Sequence, residues 1–245
     1  MLGASKATTT REYQLINTGT ITSTGAQTYT VVAGTLYIEI ECWGGGGGGA
    51  SKETTGSGRG ATTYAGSGGG GGAYIKKTYY GVANMQTGDT INFTVGAGGA
   101  AGADGGNAGS PAGATTLDTH KRSSTTITTF DTVRAGGGGG GAIGTGIDNT
   151  ADGGPGGVAS NGDTNTNGTA GDDVTGSASS QEGSDGGAGA NGGAGGAGAE
   201  LSPNVAATAG TVPGGGGGGG STSGGSIYRV GKDGANGKVI VKAYG

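Results

Sequence analysis

Every third residue is glycine over long stretches of this chain, and elsewhere glycine runs unbroken. Gly183, Gly186, Gly189, Gly192, Gly195 and Gly198 keep strict register. Gly96, Gly99, Gly102 and Gly105 repeat the spacing, and so do Gly231, Gly234 and Gly237. Gly153, Gly156, Gly162, Gly168 and Gly171 follow it with gaps at Ala159 and Asn165. The unbroken runs are Gly44–Gly49, Gly68–Gly72, Gly136–Gly141 and Gly214–Gly220. A period of three has one plain physical source, the polyproline II helix, with three residues per turn and a rise of about 3.1 Å per residue. Every third residue then lies on one edge, and a glycine edge lets a second backbone approach to contact. Such a helix has no internal hydrogen bonds, so its N–H and C=O groups must find partners outside it. Packed neighbours can supply them, with Cα–H···O contacts besides. An unbroken run can pack on all sides, so it belongs in the middle of a bundle. At about 3.1 Å per residue, Gly214–Gly220 would span roughly 22 Å. Segments 50–65, 143–152, 158–181, 199–213 and 221–230 are expected to turn at the bundle ends, where binding groups commonly sit.

Composition closes the competing routes. Glycine accounts for 68 of 245 residues, roughly four times the usual share. Leu, Ile, Val and Phe together number 30, well under the roughly 20% of an ordinary core-forming chain. An α-helical fold is excluded, because each interior glycine costs about 1 kcal/mol relative to alanine. No stretch approaches the ~18 consecutive apolar residues of a membrane-spanning helix. Collagen needs Pro-rich triplets, and there are four prolines. Disorder is disfavoured by the low net charge of −4 and by clear strand patterns.

The clearest strand is 35–43. Leu36, Ile38, Ile40 and Cys42 share one face; Tyr37, Glu39, Glu41 and Trp43 share the other. Further strands are expected at Ala73–Tyr80, at Ile91–Val95 after the turn signal Gly88-Asp89, at 125–134, at Ile227–Val230 and at Lys238–Tyr244. A sheet uniting 35–43 with 238–244 would close the domain. Residues 1–32 are poor in glycine and rich in threonine, with Thr18, Thr20 and Thr22 alternating. They are expected to form an attachment or oligomerisation arm, with the glycine-rich β/polyproline II domain over 33–245. The fold class is therefore all-β with little or no α-helix: antiparallel sheet or sandwich elements plus a glycine-rich polyproline II bundle.

Charge is uneven. No basic residue lies between Arg134 and Arg229, whereas Asp148, Asp152, Asp163, Asp172, Asp173, Glu182, Asp185 and Glu200 do. Such a segment cannot bind nucleic acid through phosphate neutralisation. It reads as a solvated glycine-rich surface, with divalent-cation binding as the sharper alternative. Cys42 is the single cysteine, which leaves no intrachain disulfide and reads as a small buried residue. His120 is the single histidine, in the polar stretch Asp118-Thr119-His120-Lys121-Arg122, and is expected in a solvated loop. GxGxxG recurs throughout so glycine-rich a chain and carries no information. Gly225–Lys232 is one residue too long for a P-loop, and Asp233 stands where a Ser/Thr would reach magnesium. Gly98–Asp104 resembles a calcium β-roll repeat with one residue too many, and it does not recur. No catalytic constellation, metal site or cofactor motif follows. Met1–Arg11 lacks the apolar core of a secretory signal, so a cytoplasmic protein or one released by lysis is expected.

An apolar strand runs into Trp43 and a glycine run, and Gly68–Gly72 leads into Ala73-Tyr74. There follow Gly88-Asp89-Thr90-Ile91-Asn92-Phe93-Thr94-Val95-Gly96-Ala97-Gly98-Gly99, then Ala114-Thr115-Thr116, then Ala135 with Gly136–Gly141, and a closing Gly-Lys-Val-Ile-Val strand. This order resembles the glycine-rich domain of bacteriophage tail fibres and related virion appendages, over roughly 30–245. More loosely the chain is similar to the distal tail-fibre adhesins of T-even-like phages, in which glycine-rich polyproline II helices pack in layers and loops at one end recognise the host. The N-terminal part does not match their attachment domain.

The resemblance implies a non-enzymatic virion protein, a tail-fibre or fibre-tip adhesin without membrane insertion. It would join other virion proteins through the N-terminal arm and bind a host saccharide or outer-membrane protein through its end loops. Such fibres are often homotrimers. Lys52, Arg59, Tyr64, Tyr228 and Arg229 are the contact candidates, since aromatic and arginine side chains are favoured at binding hot spots; the alternative is that they solvate turns. A capsid-decorating or head-fibre protein without a receptor, and an ice-binding protein, are the other readings. For the glycine edge, leucine at Gly189 or Gly192 is expected to disrupt packing, and the same change at Ala188 or Ala190 to be better tolerated.

Overall fold

A computed structural model describes residues 12–55, 62–80, 86–121, 126–127, 133–144, 150–175, 180–223 and 227–245. Its strands are β1 Leu15–Ile21, β2 Gly25–Thr30, β3 Tyr37–Trp43, β4 Glu53–Thr55, β5 Thr62–Tyr64, β6 Tyr74–Tyr79, β7 Thr90–Val95 and β8 Thr115–Lys121. They continue with β9 Thr126–Ile127, β10 Val133–Ala135, β11 Ala159–Ser160, β12 Thr164–Thr166, β13 Ser180–Gln181, β14 Thr222–Ser223, β15 Ile227–Tyr228 and β16 Lys238–Tyr244. There is no helix among the described residues, and the fold is all-β.

Two antiparallel sheets enclose the side-chain core. One runs β1-β16-β3-β6-β12, the other β11-β10-β8-β7-β2 with β9 beside β8. Strand β3 pairs with β16 from Tyr37↔Tyr244 to Trp43↔Lys238. The alternation of β3 and β16 sends Ile38, Ile40, Cys42, Val239 and Val241 inward. There they meet Ile91, Phe93, Val95, Leu117 and Val133 of the second sheet. Leu36 stands just outside β3 and is exposed. Cys42 is wholly buried, and burial pushes its thiol well above the usual range. The N-terminal segment is not a separate arm in its described part. Strand β1 pairs with β16 and β2 with β7, so both are built into the two sheets. His120 lies in β8 opposite Ile91, in a strand rather than a loop. The expected 125–134 strand resolves into β9 and β10, its remainder lying outside the described residues.

The outer face of the first sheet is held by charge. Glu39 takes Lys76 at 2.5 Å and Lys242 at 3.1 Å, and Lys242 also reaches Glu41 at 2.6 Å. Tyr74 donates its hydroxyl to the same Glu41 at 3.0 Å. Burial opposes the Glu39 charge, but the hydrogen bonds from Lys76 and Lys242 prevail and hold its carboxyl below the ordinary range. Trp43 packs on Tyr74 and Ala190, and its indole N–H donates to Asn191 O at 3.1 Å. Asn191 has φ of 48°, a left-handed conformation that asparagine tolerates.

Beyond the sheets the strands run on into glycine segments that are neither helix nor strand. Their hydrogen bonds repeat every three residues. Gly44, Gly47 and Ala50 donate to Ala73, Gly70 and Ser67. Gly45, Gly48 and Ser51 donate to Gly113, Ser110 and Asn107, and Gly46 and Gly49 to Ala235 and Lys232. In return the carbonyls of 45–50 accept from Gly138 and Gly141, from Gly99 and Gly102, and from Gly217 and Gly220. One backbone thus donates to three antiparallel neighbours and accepts from three parallel ones. Segments 66–73 and 214–220 also have six neighbours each. The runs Gly44–Gly49, Gly68–Gly72 and Gly214–Gly220 are buried throughout. Gly136–Gly141 lies at the rim, alternating between buried and half-exposed.

Candidate binding surface

Several glycine segments meet a strand at one end and turn at the other, whereas 183–189, 193–199, 206–213 and 214–220 turn at the sheet end too, around 190–192 and 212–214. Gly44 follows β3, Gly72 leads to β6, Gly113 to β8, Gly136 follows β10, and Gly237 leads to β16. At the far end Ala50, Gly66, Ala142, Ala199 and Gly220 are joined by hydrogen bonds, Gly66 donating to Gly220 and Ala199 to Gly219. Among the described residues this end, the tip, is formed by 51–55 and 62–65, 103–108, 143–144 and 150–152, 172–175 and 180–182, 200–206, and 221–223 and 227–230. The expected end segments need two corrections. Residues 206–213 are a further bundle segment, Thr208 donating to Ala197 and Thr211 to Ala194. Residues 158–167 return to the sheets as β11 and β12. In both, other residues interrupt the glycine period: Ala207 and Pro213 about Gly210, and Ala159 and Asn165 about Gly162.

The tip holds two small sheets, β4-β5 and β13-β14-β15. Glu53 lies opposite Tyr64 in the first, and Thr222 lies opposite Tyr228 in the second. Four of the five contact candidates fall here. Lys52 is 8% exposed and sits 3.4 Å from Asp104. It is a tip strut more than a surface contact. Tyr64 is half-buried, and Tyr228 stands in β15. Arg229 donates from Nη2 to Asn204 Oδ1 at 2.6 Å. Arg59 lies outside the described residues.

Sequence reasoning missed Gln181, Ser221 and Thr222. All three are buried polar residues in β13 and at β14. Ser221 and Thr222 adjoin in a glycine, serine and threonine stretch, and only cross-strand register brings Gln181 opposite Thr222.

The acidic bias has a structural use. A rim segment lacks a neighbour on one side, which leaves every third N–H without a backbone acceptor. Carboxylates and amides fill those places. Gly198 N–H donates to Asp185, Gly153 N–H to Asp173 and Ala101 N–H to Asp233, each at 2.7 Å. Gly98 N–H donates to Asn236 and Ala159 N–H to Asn167. An ionised carboxylate only accepts, so this demand selects acid and amide without calling for base. Among the described residues no three His, Cys, Asp or Glu side chains come together in a metal-holding group.

The glycine contacts are backbone contacts. A Cβ at Gly183, Gly186 or Gly189 would lie 2.1, 2.3 or 2.5 Å from the carbonyl oxygen of Gly219, Gly216 or Pro213. At Gly195 and Gly198 it would meet the carbonyls of Gly186 and Gly183. Gly192 sits at the turn against Pro213 and Trp43. Ala188 is exposed, but Ala190 is buried under Trp43 and Tyr74. The two alanines are not equivalent.

Strands that flank a side-chain core and pass into layered glycine backbone define a glycine-rich, all-β structural domain. The chain belongs to the glycine-rich domain family, whose sequence pattern matches residues 21–244, from the last residue of β1 to the last of β16. No curated protein matches it.

Proposed function

We propose that this chain is a non-enzymatic bacteriophage virion appendage, a tail-fibre or fibre-tip adhesin that binds the host surface through the bundle tip. Its glycine segments act as polyproline II helices; the three-residue hydrogen-bond repeat is what supports that conformation. The observation that carries the functional reading is the gathering of six connecting segments at the end of the bundle remote from the two sheets. A bundle whose interior is backbone holds that end in place while leaving the connecting side chains free to make contacts. The opposite end faces the particle. There Tyr37 stacks on Tyr244 at 4.4 Å and touches Tyr13 and Tyr80. Tyr80 is 76% exposed and Leu15 54%, an aromatic and aliphatic patch suited to another virion protein or to a further copy in a homotrimer.

Immunogold electron microscopy of purified particles tests the reading. Label at fibre tips, with the free chain competing for adsorption to cells, is the expected result. Label over the head would replace it with capsid decoration. Absence of label, with thermal hysteresis in solution, would favour ice binding.

A further inference from the structure

The two sheets end differently on their two flanks. On one flank the outer strands are β11 and β12, two and three residues long. The short connection between them crosses from one sheet to the other, and its Asp163 is bound by Lys77 at 3.0 Å. Short strands and charge are ordinary protection for a sheet edge. On the other flank the outer strands are β1 and β2, seven and six residues long. They lie one over the other. Tyr29 donates its hydroxyl to Asn17 Oδ1 at 3.0 Å, and a Cβ at Gly19 would sit 2.8 Å from the Tyr29 ring. Every second residue of an edge strand turns its N–H and C=O away from its one neighbour. No charged residue lies between Glu12 and Glu39, so neither of these edges carries one. The strands further in are richly charged, with Lys238 and Lys242 on β16, Glu39 and Glu41 on β3, and Lys76 and Lys77 on β6. The long, open flank is the neutral one.

We propose that a second copy of this chain docks on that flank, β1 pairing with β1 of the partner subunit about a two-fold axis and β2 meeting its own copy beneath. The inference does not depend on the host-binding reading. Neutrality points to a copy. About a two-fold axis an edge meets itself, so any net charge on it would face its like, and like charges directly opposite are destabilising. An edge shaped for a different protein gains from charge, which steers the encounter and excludes wrong partners. The strand is also self-complementary in its side chains. Centred on Gly19, an antiparallel pair sets Thr18 opposite Thr20 of the partner subunit, and threonine pairs across strands are stabilising. Both threonines are exposed, in register with Lys242 and Ile240 of β16. On β2 the exposed Thr28 and Thr30 flank Tyr29 as Thr18 and Thr20 flank Gly19. The Tyr29 ring lies against Gly19, so a single axis serves both tiers. The bulge between Leu15 and Asn17 bends the strand there, which leaves the tyrosine patch at the sheet end outside the contact. A two-fold closes at two copies, not at the three of a homotrimer. The oligomerisation expected of residues 1–32 then falls to strands built into the body of the domain.

Sedimentation velocity and light scattering of the full chain over a range of concentrations test the pairing. Three double variants accompany the wild type: Thr18→Lys with Thr20→Lys, Thr18→Glu with Thr20→Glu, and Thr18→Val with Thr20→Val. Wild type and the valine variant are expected as dimers. The lysine and glutamate variants, each alone, should have dimer dissociation constants raised about a hundredfold or more. An equimolar mixture of those two should recover the dimer. Both threonines are exposed, so every variant should keep the circular dichroism of wild type. A wild-type chain that stays monomeric throughout would overturn the proposal, and so would a trimer. A dimer that withstands lysine at both positions would place the contact elsewhere. Folded lysine and glutamate variants that stay monomeric when mixed would show that these edges do not meet.

Discussion

At a glycine such as Gly47 the α-carbon is itself the packing surface. A methyl group there would lie 1.9 Å from Gly139 O, and at Gly216 it would lie 2.1 Å from Gly69 O. Neither carbonyl can yield without breaking its own place in the lattice. Gly216→Ala is therefore expected to cost about 3 kcal/mol or more, at the upper end of overpacking effects. Ala188→Leu, on an exposed edge, should stay within about 0.5 kcal/mol. Ala190→Leu should behave like the glycine change, because Trp43 and Tyr74 already cover that methyl. Thermal unfolding of the three variants checks the order. Glu39 gives a second residue-scale test. Its folded carboxyl is held below its ordinary value by Lys76 and Lys242 against the opposing effect of burial. The stability it contributes is thus fully present above the ordinary carboxylate range and lost as pH falls through the lowered folded value. Wild type should unfold at a higher temperature than Glu39→Gln at pH 7, and the gap should shrink on descent to pH 3.

Among elements, strands and glycine segments were legible to different depths. The alternation in 35–43, 91–95 and 238–244 gave β3, β7 and β16 because full burial of one face only leaves a period-two trace. The pairing of β3 with β16 was readable for the same reason. Threonine alternation in 15–22 hinted at a strand but not at its partner, since a strand with neither face fully buried carries little register information. In the tip, β15 falls within the strand expected at Ile227–Val230, whereas β13 and β14, two residues each, are too short for any period and stayed invisible. Glycine period pointed to mutual packing, yet it could not distinguish a rim segment from an interior one; the acidic side chains make that distinction. Asp185→Ala should expose the Gly198 N–H and cost about 1 kcal/mol, while Asp185→Asn, which keeps an acceptor, should recover most of it. Chemical denaturation of the pair measures the difference.

As a whole, the molecule joins two kinds of interior. A side-chain core lies between the sheets, and a backbone core fills the bundle. Burying hydrocarbon lowers the heat capacity of the folded state, whereas burying peptide groups raises it, because polar exposure on unfolding acts in the opposite sense to apolar exposure. The heat-capacity change of unfolding should fall clearly below the ~12–15 cal/mol/K per residue of ordinary domains. Scanning calorimetry at several pH values reads it directly. A value in the ordinary range would mean that the bundle does not persist in solution as a packed body. A flat stability curve should accompany the low value, with resistance to cold as well as to heat.

Donation to three neighbours in rotation gives the bundle an arithmetic of its own. Removing one residue from the middle of Gly214–Gly220 turns every later N–H by a third of a turn, toward a neighbour whose carbonyl is already taken. Changes of length inside the bundle are thus confined to multiples of three, like a reading frame written in hydrogen bonds. The tip segments lie outside that frame. They can lengthen, shorten or exchange their residues one at a time, and the lattice beneath them keeps its phase.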